Sequence, residues 1–106
     1  MIVSRADLGL AAIVSGSVAE KRSPILFACK DEPARVGDSG WQFWGHPDVD
    51  NGSDPKVWRL DEVLELEPTL AIFIHSLPGI FLQRKNVSAQ WEISELPPEE
   101  AANERR

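Results

Sequence analysis

The side chains with the clearest potential for chemistry lie in Gly37-Asp38-Ser39-Gly40, which matches the sequence around the nucleophile of trypsin-like proteases. In those enzymes a histidine takes the serine proton, a carboxylate orients the histidine, and backbone N–H groups stabilise the oxyanion. His46 and His75 are the only histidines, and neither lies in a recognisable catalytic pattern. A chain of 106 residues is also too short for the two β-barrels that hold such a triad. We therefore expect that Ser39 is not a nucleophile.

The same segment has the residue types of a tight turn. Aspartate and serine side chains accept hydrogen bonds from nearby backbone N–H groups, and glycine adopts a positive φ without steric cost. We predict that Asp38-Ser39-Gly40 is a turn that directs Trp41 into the core.

The aromatic residues after this segment divide between two faces. In a strand, Trp41 and Phe43 point to one face while Gln42 and Trp44 point to the other. We predict that Trp41 and Phe43 belong to the core. Trp44 is then the more exposed aromatic residue and a candidate interface anchor.

A second group with ligand chemistry is His46 with Asp48 and Asp50. A calcium loop needs more carboxylates and a distal glutamate, so a solvated acidic loop is the better interpretation. Because Cys29 is the only cysteine, a zinc site built on several thiolates and an internal disulfide are excluded. No phosphate-binding or dinucleotide-binding glycine pattern occurs. We expect no metal, no cofactor and no catalytic residue.

The composition is that of a globular domain with an acidic bias. Apolar residues make up 42% of the chain, the net charge is −6, and residues 29–62 hold eight acids against four bases. Such a chain repels phosphates, so nucleic-acid binding is disfavoured, whereas a basic protein partner would be attracted. The alternative that the acids only maintain solubility stays open. The apolar runs fit neither a membrane span nor a secretory signal, so we expect a cytoplasmic protein.

The predicted fold class is α+β, with a small, mostly antiparallel sheet of four or five short strands and two or three short helices packed on one face. Strands are predicted at residues 25–29, 41–44, around 57–58, 80–84 and 89–93. Helices are predicted at residues 5–15 and 60–66, and from Pro68 to about residue 75. A polar linker is predicted between the first helix and Pro24. In the second helix the candidates for the inward face are Leu60, Val63, Leu64 and Leu66, and the third helix is expected to be well buried because it is largely apolar. Residues 1–96 are predicted to form one domain, followed by a flexible acidic tail at 97–106.

Several of these segments together follow the pattern of one bacterial family. They are Ala28-Cys29-Lys30, Asp38-Ser39-Gly40-Trp41, residues 58–63, Glu67-Pro68 and residues 79–84. In this combination the chain, over about residues 25–92, resembles the immunity protein thirty-three family of polymorphic toxin systems. Two positions depart from it, because the family usually has aspartate in place of Glu67 and Phe-Glu-Arg in place of Leu82-Gln83-Arg84.

The resemblance implies an immunity protein that neutralises a cognate toxin by covering its active surface, without catalysis. The toxin would be a protein with a basic surface, delivered by contact or by type VI secretion. The predicted toxin-binding residues are Trp44, His46, Asp48, Asp50, Asp54 and Trp58. The residues of the family motif are expected to be structural, and these are Asp38, Ser39, Gly40, Trp41, Pro68, Gly79 and Arg84.

Two other functions stay open at this point. One is a small-ligand or regulatory binding module, which would hold its ligand near Trp41 or Trp58. The other is a hydrolase that uses Asp38 and Ser39 with His46 or His75. The sequence also leaves open whether the chain forms homo-oligomers.

Overall fold

The computed structural model describes residues 8–21, 23–46 and 54–94, and this part of the chain has an α+β fold. Its six strands are β1 (Ala11–Val14), β2 (Phe27–Lys30), β3 (Asp38–Trp44), β4 (Lys56–Arg59), β5 (Phe81–Gln83) and β6 (Glu92–Ser94). They form one sheet in the order β4-β1-β3-β2-β5-β6. Strands β1 and β3 are parallel, and every other neighbouring pair is antiparallel. The predicted fold class is confirmed, with more strands than the four or five expected.

Three short helices accompany the sheet in the described residues. They are α1 (Gly16–Ala19), α2 (Leu60–Leu66) and a 3₁₀ helix (Pro68–Phe73). Buried side chains from these helices and from one face of the sheet form a single apolar cluster. The helices therefore cover one face of the sheet, as predicted.

The N-terminal region departs from the prediction of a helix at residues 5–15. Residues 5–7 lie outside the described residues, and residues 11–14 form β1, which lies between β3 and β4. The apolar run at residues 8–14 is too short for its periodicity to distinguish a strand from a buried helix. Pairing with two neighbouring strands decides the outcome, since tertiary contacts override weak helix propensity. Residues 16–19, predicted as a linker, form the single turn of α1.

The core is centred on Trp41 and Phe43, as predicted. Each is 1% exposed, and their rings stack with centroids 5.6 Å apart. The indole Nε1 of Trp41 donates a hydrogen bond of 3.2 Å to the backbone oxygen of Ile74. This bond satisfies the polar end of a buried tryptophan and joins the sheet to the segment after the 3₁₀ helix.

The two elements after β4 agree only in part with the prediction. In α2, Leu60 and Val63 are buried as expected, Leu64 is half-buried, and Leu66 is 41% exposed. The 3₁₀ helix ends at Phe73, although a helix to about residue 75 was predicted, and it is less buried than predicted, since Ile72 is 73% exposed. In a 3₁₀ helix residues three apart share one face, so Leu70 and Phe73 point inward while Ile72 does not.

The described residues do not cover every predicted feature. Most of the loop with Asp48 and Asp50, and the predicted tail at 97–106, lie outside them. Among the described helices, none has the length and apolar character that a membrane span requires.

Candidate partner-binding surface

The carboxylate of Asp38 organises the loop between β2 and β3, residues 31–37, which is called the hairpin loop below. Its Oδ2 accepts a hydrogen bond of 2.8 Å from the N–H of Ala34, and its Oδ1 accepts one of 2.9 Å from the N–H of Gly40. These two backbone N–H groups, with a smaller contribution from the charge of Arg35, hold the pKa of the Asp38 carboxyl below its ordinary value of 3.8. The ionised form of Asp38 is therefore the one that stabilises the loop.

Ser39 is a buried structural residue at the next position. Its Oγ donates a hydrogen bond of 2.6 Å to the backbone oxygen of Ala11 in β1. The same Oγ accepts a hydrogen bond of 3.1 Å from the N–H of Trp41. The hydroxyl therefore joins β3 to β1 from within the sheet.

Gly40 occupies an irregularity in the pairing of β1 with β3. Ala11 pairs with Asp38 and Ile13 with Gln42, so two steps along β1 correspond to four along β3. Gly40 has a φ of +83°, which glycine adopts without strain. The prediction of a turn at residues 38–40 is wrong in its location, because these residues belong to β3. The local chemistry that motivated the prediction is present, but it forms a bulge in a strand.

The hairpin loop is fixed at both of its ends. The N–H of Asp31 donates to the oxygen of Gly40 at 2.9 Å, and the N–H of Ala11 donates to the oxygen of Gly37 at 2.7 Å. Asp31 also accepts a hydrogen bond of 3.1 Å from Nε2 of Gln42. These bonds hold the loop against the sheet in a defined position.

A pH-dependent effect of Asp38 on stability follows from its geometry. Because its folded-state pKa is lowered, its contribution is complete above the unfolded-state value and is lost as the pH falls below about 3.8. We expect Asp38→Asn to lower the free energy of unfolding by about 1.5 kcal/mol at pH 7, the lower end for hydrogen bonds to a carboxylate. Urea unfolding of both proteins from pH 7 down to pH 3 measures this difference.

The matched control for this prediction is Asp54→Asn, since Asp54 is exposed in the segment before β4. This variant should match the wild-type protein at every pH. A difference between Asp38→Asn and wild type that stays constant below pH 4 would contradict the account.

A groove lies beside the hairpin loop on the sheet face opposite the helices. It has a volume of about 640 Å³ and runs between the loop and strands β1 and β4. Ile13 and Val57, a directly paired couple in β1 and β4, form part of its floor. Asp31, Glu32 and Arg35 line it from the loop. The groove thus combines apolar and charged groups on a rigid frame.

Two of the predicted toxin-binding residues, Trp44 and Trp58, lie on opposite faces of the sheet. Trp58 pairs with Ala12 and packs against the core, on the helix side of the sheet. Trp44 follows Phe43 in β3 and therefore points to the opposite side, where its ring meets that of Phe81 edge-on at 6.5 Å. Both tryptophans are half-buried rather than exposed.

The other predicted binding residues are placed only in part. His46 and Asp54 are exposed at the two ends of a segment whose intervening residues, 47–53, lie outside the described part. Asp48 and Asp50 fall within that interval. Their role in binding stays a prediction.

The other residues that were expected to be structural also have contacts within the protein. Pro68 begins the 3₁₀ helix, and Gly79 donates its N–H to the oxygen of Lys30 at 2.7 Å. Arg84 is 5% exposed and lies directly after β5. Its Nε and Nη2 donate to the oxygen of Ile25 at 3.1 and 2.9 Å.

Glu67 completes the surroundings of Arg84. The Nη2 of Arg84 donates to Oε1 of Glu67 at 2.6 Å, and the guanidinium lies 4.3 Å from the ring centroid of Trp91. Burial alone would raise the pKa of Glu67, but hydrogen bonds from Thr69 and Arg84 and the charge of Arg84 together lower it. Glu67 therefore serves as the partner of a buried arginine.

The arrangement does not favour the hydrolase hypothesis. Ser39 and His75 both line a cavity of about 100 Å³, a volume for a few water molecules. A catalytic triad requires the serine hydroxyl to donate its hydrogen bond to a histidine. The Ser39 hydroxyl instead donates to the backbone oxygen of Ala11. In residues 8–21, 23–46 and 54–94, no group of three or more His, Cys, Asp or Glu residues is placed to hold a metal ion.

The groove residues Ile13, Glu32 and Val57 were missed by the sequence interpretation. For Val57 a signal was present, because alternation in β4 places it on the face opposite Trp58. The prediction of a helix at residues 5–15 removed Ile13 from any sheet surface. Glu32 could not be assigned, since it lies in the hairpin loop, whose place against the sheet is set by a hydrogen bond to Ala11, distant in sequence.

Comparisons with known proteins identify the family. No curated protein and no solved structure matches the chain significantly. A family model described as Immunity protein Imm33 domain matches residues 12–94. This range contains all of the sheet except Ala11, the first residue of β1, and begins well before the predicted limit near residue 25. The chain therefore belongs to the Imm33 immunity protein domain family.

Proposed function

We propose that this protein binds a cognate bacterial toxin and neutralises it by covering the surface on which the toxin acts. The observation that carries the proposal is the family match over residues 12–94. A toxin with a basic surface suits a chain of net charge −6, because opposite charges speed association and disfavour wrong partners. The proposal includes cytoplasmic action and a toxin delivered by contact or by type VI secretion.

Neutralisation by binding requires a rigid surface rather than reactive groups. The hairpin loop is held by hydrogen bonds to both β1 and β3, so little conformational entropy is lost when a partner binds it. The side chains of the family motif are engaged with the protein itself: Asp38 with backbone N–H groups and Ser39 with Ala11. These contacts support a non-enzymatic role.

The proposal predicts the behaviour of a Ser39→Ala variant. Removing the hydroxyl leaves the oxygen of Ala11 and the N–H of Trp41 without this partner, at a cost of about 1–2 kcal/mol in unfolding free energy. Protection against the toxin should be retained, since the hydroxyl has no catalytic task. Survival of cells that express toxin with the variant, beside chemical unfolding of the purified variant, measures both effects. Complete loss of protection in a variant that is folded at the assay temperature would favour the hydrolase hypothesis.

Co-expression with the product of the adjacent gene tests the function itself. We expect that product to arrest growth when expressed alone and to be harmless when expressed with this chain. The two proteins should also purify together. An adjacent product that is harmless alone, together with pull-downs that recover no effector, would contradict the proposal.

A further inference from the structure

We infer that the groove between the hairpin loop and strands β1 and β4 is the docking surface for the toxin, and that it receives a basic loop of the toxin. The inference rests on the proposed function and adds the surface and the chemistry of the partner. In this arrangement an apolar toxin side chain lies over Ile13 and Val57. A flanking lysine or arginine faces the carboxylates of the hairpin loop.

The groove presents exposed apolar side chains that are close together. Val57 is 69% exposed and Ile13 is 42% exposed, and they are direct neighbours across β4 and β1. Val36 also lines the groove and is fully exposed. Three branched apolar side chains that line one groove favour an interface, whereas the same residues scattered singly would need no explanation.

The charge of the groove specifies the partner. Among the described residues that line it, the acids are Asp31, Glu32 and Asp38, against the single base Arg35. Both oxygens of Asp38 already accept backbone hydrogen bonds, but Glu32 is exposed at the edge of the groove. An acidic rim beside an apolar floor is complementary to a basic loop with one apolar anchor.

The groove is also preformed. Its loop side is held by the bonds from Asp31 to Gly40 and from Ala11 to Gly37, and its floor is a paired sheet. β4 is an edge strand, so the groove continues to the border of the sheet, where a toxin loop can enter without displacing a helix. A preformed site keeps the conformational cost of binding small.

Exposed apolar residues outside the groove provide a control for the groove residues. Ile72 and Leu77, in and after the 3₁₀ helix, are 73% and 83% exposed. Neither lines the groove, and nothing at this position indicates the chemistry of a partner. Ile72 matches Val57 closely in exposure and therefore serves as its control.

The test measures binding of four single variants to the toxin that the adjacent gene encodes, as purified protein, by biolayer interferometry. Val57→Lys places a cation on the groove floor and should weaken the dissociation constant about 30-fold or more. Glu32→Lys should slow association about tenfold at low salt, with a smaller effect as salt is added. The controls Ile72→Lys and Glu65→Lys lie at exposed positions outside the groove. Each should change the dissociation constant and the association rate constant by less than about threefold.

The outcomes separate the claim that the groove is the docking surface from the claim that the protein neutralises a toxin. Loss of affinity confined to the groove variants, all four being folded by circular dichroism, supports the inference. Unchanged binding of Val57→Lys and Glu32→Lys, or losses confined to the controls, overturns the inference while toxin neutralisation stands. If wild-type protein does not bind the toxin at all, the proposed function fails and the inference falls with it.

Discussion

Replacing Gly40 with alanine is expected to destabilise the fold by about 4 kcal/mol or more, a large share of the 5–15 kcal/mol typical of a domain. A Cβ at this position would lie 2.1 Å from the backbone oxygen of Asp31. The two backbones cannot separate freely, because the N–H of Asp31 is hydrogen-bonded to the oxygen of Gly40. The left-handed φ of +83° adds a further cost for any residue with a side chain. Urea unfolding of the purified variant measures the loss.

Gly37→Ala separates the steric cost from the cost of the backbone conformation. Gly37 has a φ of +93°, but a Cβ there would meet nothing within 4 Å. We expect this variant to lose only about 1–2 kcal/mol, the penalty of a left-handed residue with a side chain. Equal losses at the two positions would show that the close approach of Gly40 to Asp31 is unimportant, contrary to the account.

Replacing Arg84 with methionine is expected to cost about 3 kcal/mol, which corresponds to a fall of roughly 15 °C in melting temperature for a domain of this size. The substitution removes three hydrogen bonds, two to the oxygen of Ile25 and one to Glu67, and the contact with the ring of Trp91. It also leaves the carboxylate of Glu67 half-buried without its cation. Thermal unfolding followed by circular dichroism measures the change.

The neighbouring Lys85 gives a matched control, and Glu67 allows a double-mutant cycle. Lys85→Met removes a positive charge at an exposed position and should change stability by less than about 0.5 kcal/mol. Glu67→Gln combined with Arg84→Met should cost clearly less than the two single losses added together, because the groups are in contact. Strict additivity would mean that the ion pair contributes nothing.

Local patterns were sufficient to predict the sheet where one face of a strand is buried. The alternation around Trp41 and Phe43 gave the correct core residues and the correct opposite face for Trp44. The segment at 60–66 was predicted as a helix with Leu60 and Val63 inward, and both are buried. In these segments propensity, periodicity and burial agree, so local information is enough.

The N-terminal strand could not be predicted in the same way. Residues 11–14 are apolar enough for either a helix or a strand, and their conformation is decided by partners distant in sequence, β3 and β4. The bulge at residues 38–40 has the same origin, since a local sequence typical of a turn is also compatible with an irregular strand pair. Long-range pairing is the information that the sequence pattern lacks.

The groove is built on β1 and on the hairpin loop beside the bulge, and neither feature could be read from the local sequence. The candidate surface was therefore predicted only in part. An acidic partner-binding protein was expected, and the family follows from the match over residues 12–94. The groove residues were not foreseen, because Ile13 faces Val57 only after β1 pairs with β4. Trp44 and Trp58, each predicted to bind the toxin, lie on opposite faces of the sheet, and their role in binding stays a prediction.

The central claim is that this chain neutralises a toxin by binding it, and an inhibition titration tests that claim most directly. A fixed amount of the toxin from the adjacent gene is assayed in its own reaction while purified chain is added in steps. The account predicts that activity falls linearly and vanishes near one molecule of chain per molecule of toxin, with Ser39→Ala as effective as wild type. Full toxin activity in the presence of a large excess of folded chain would contradict it.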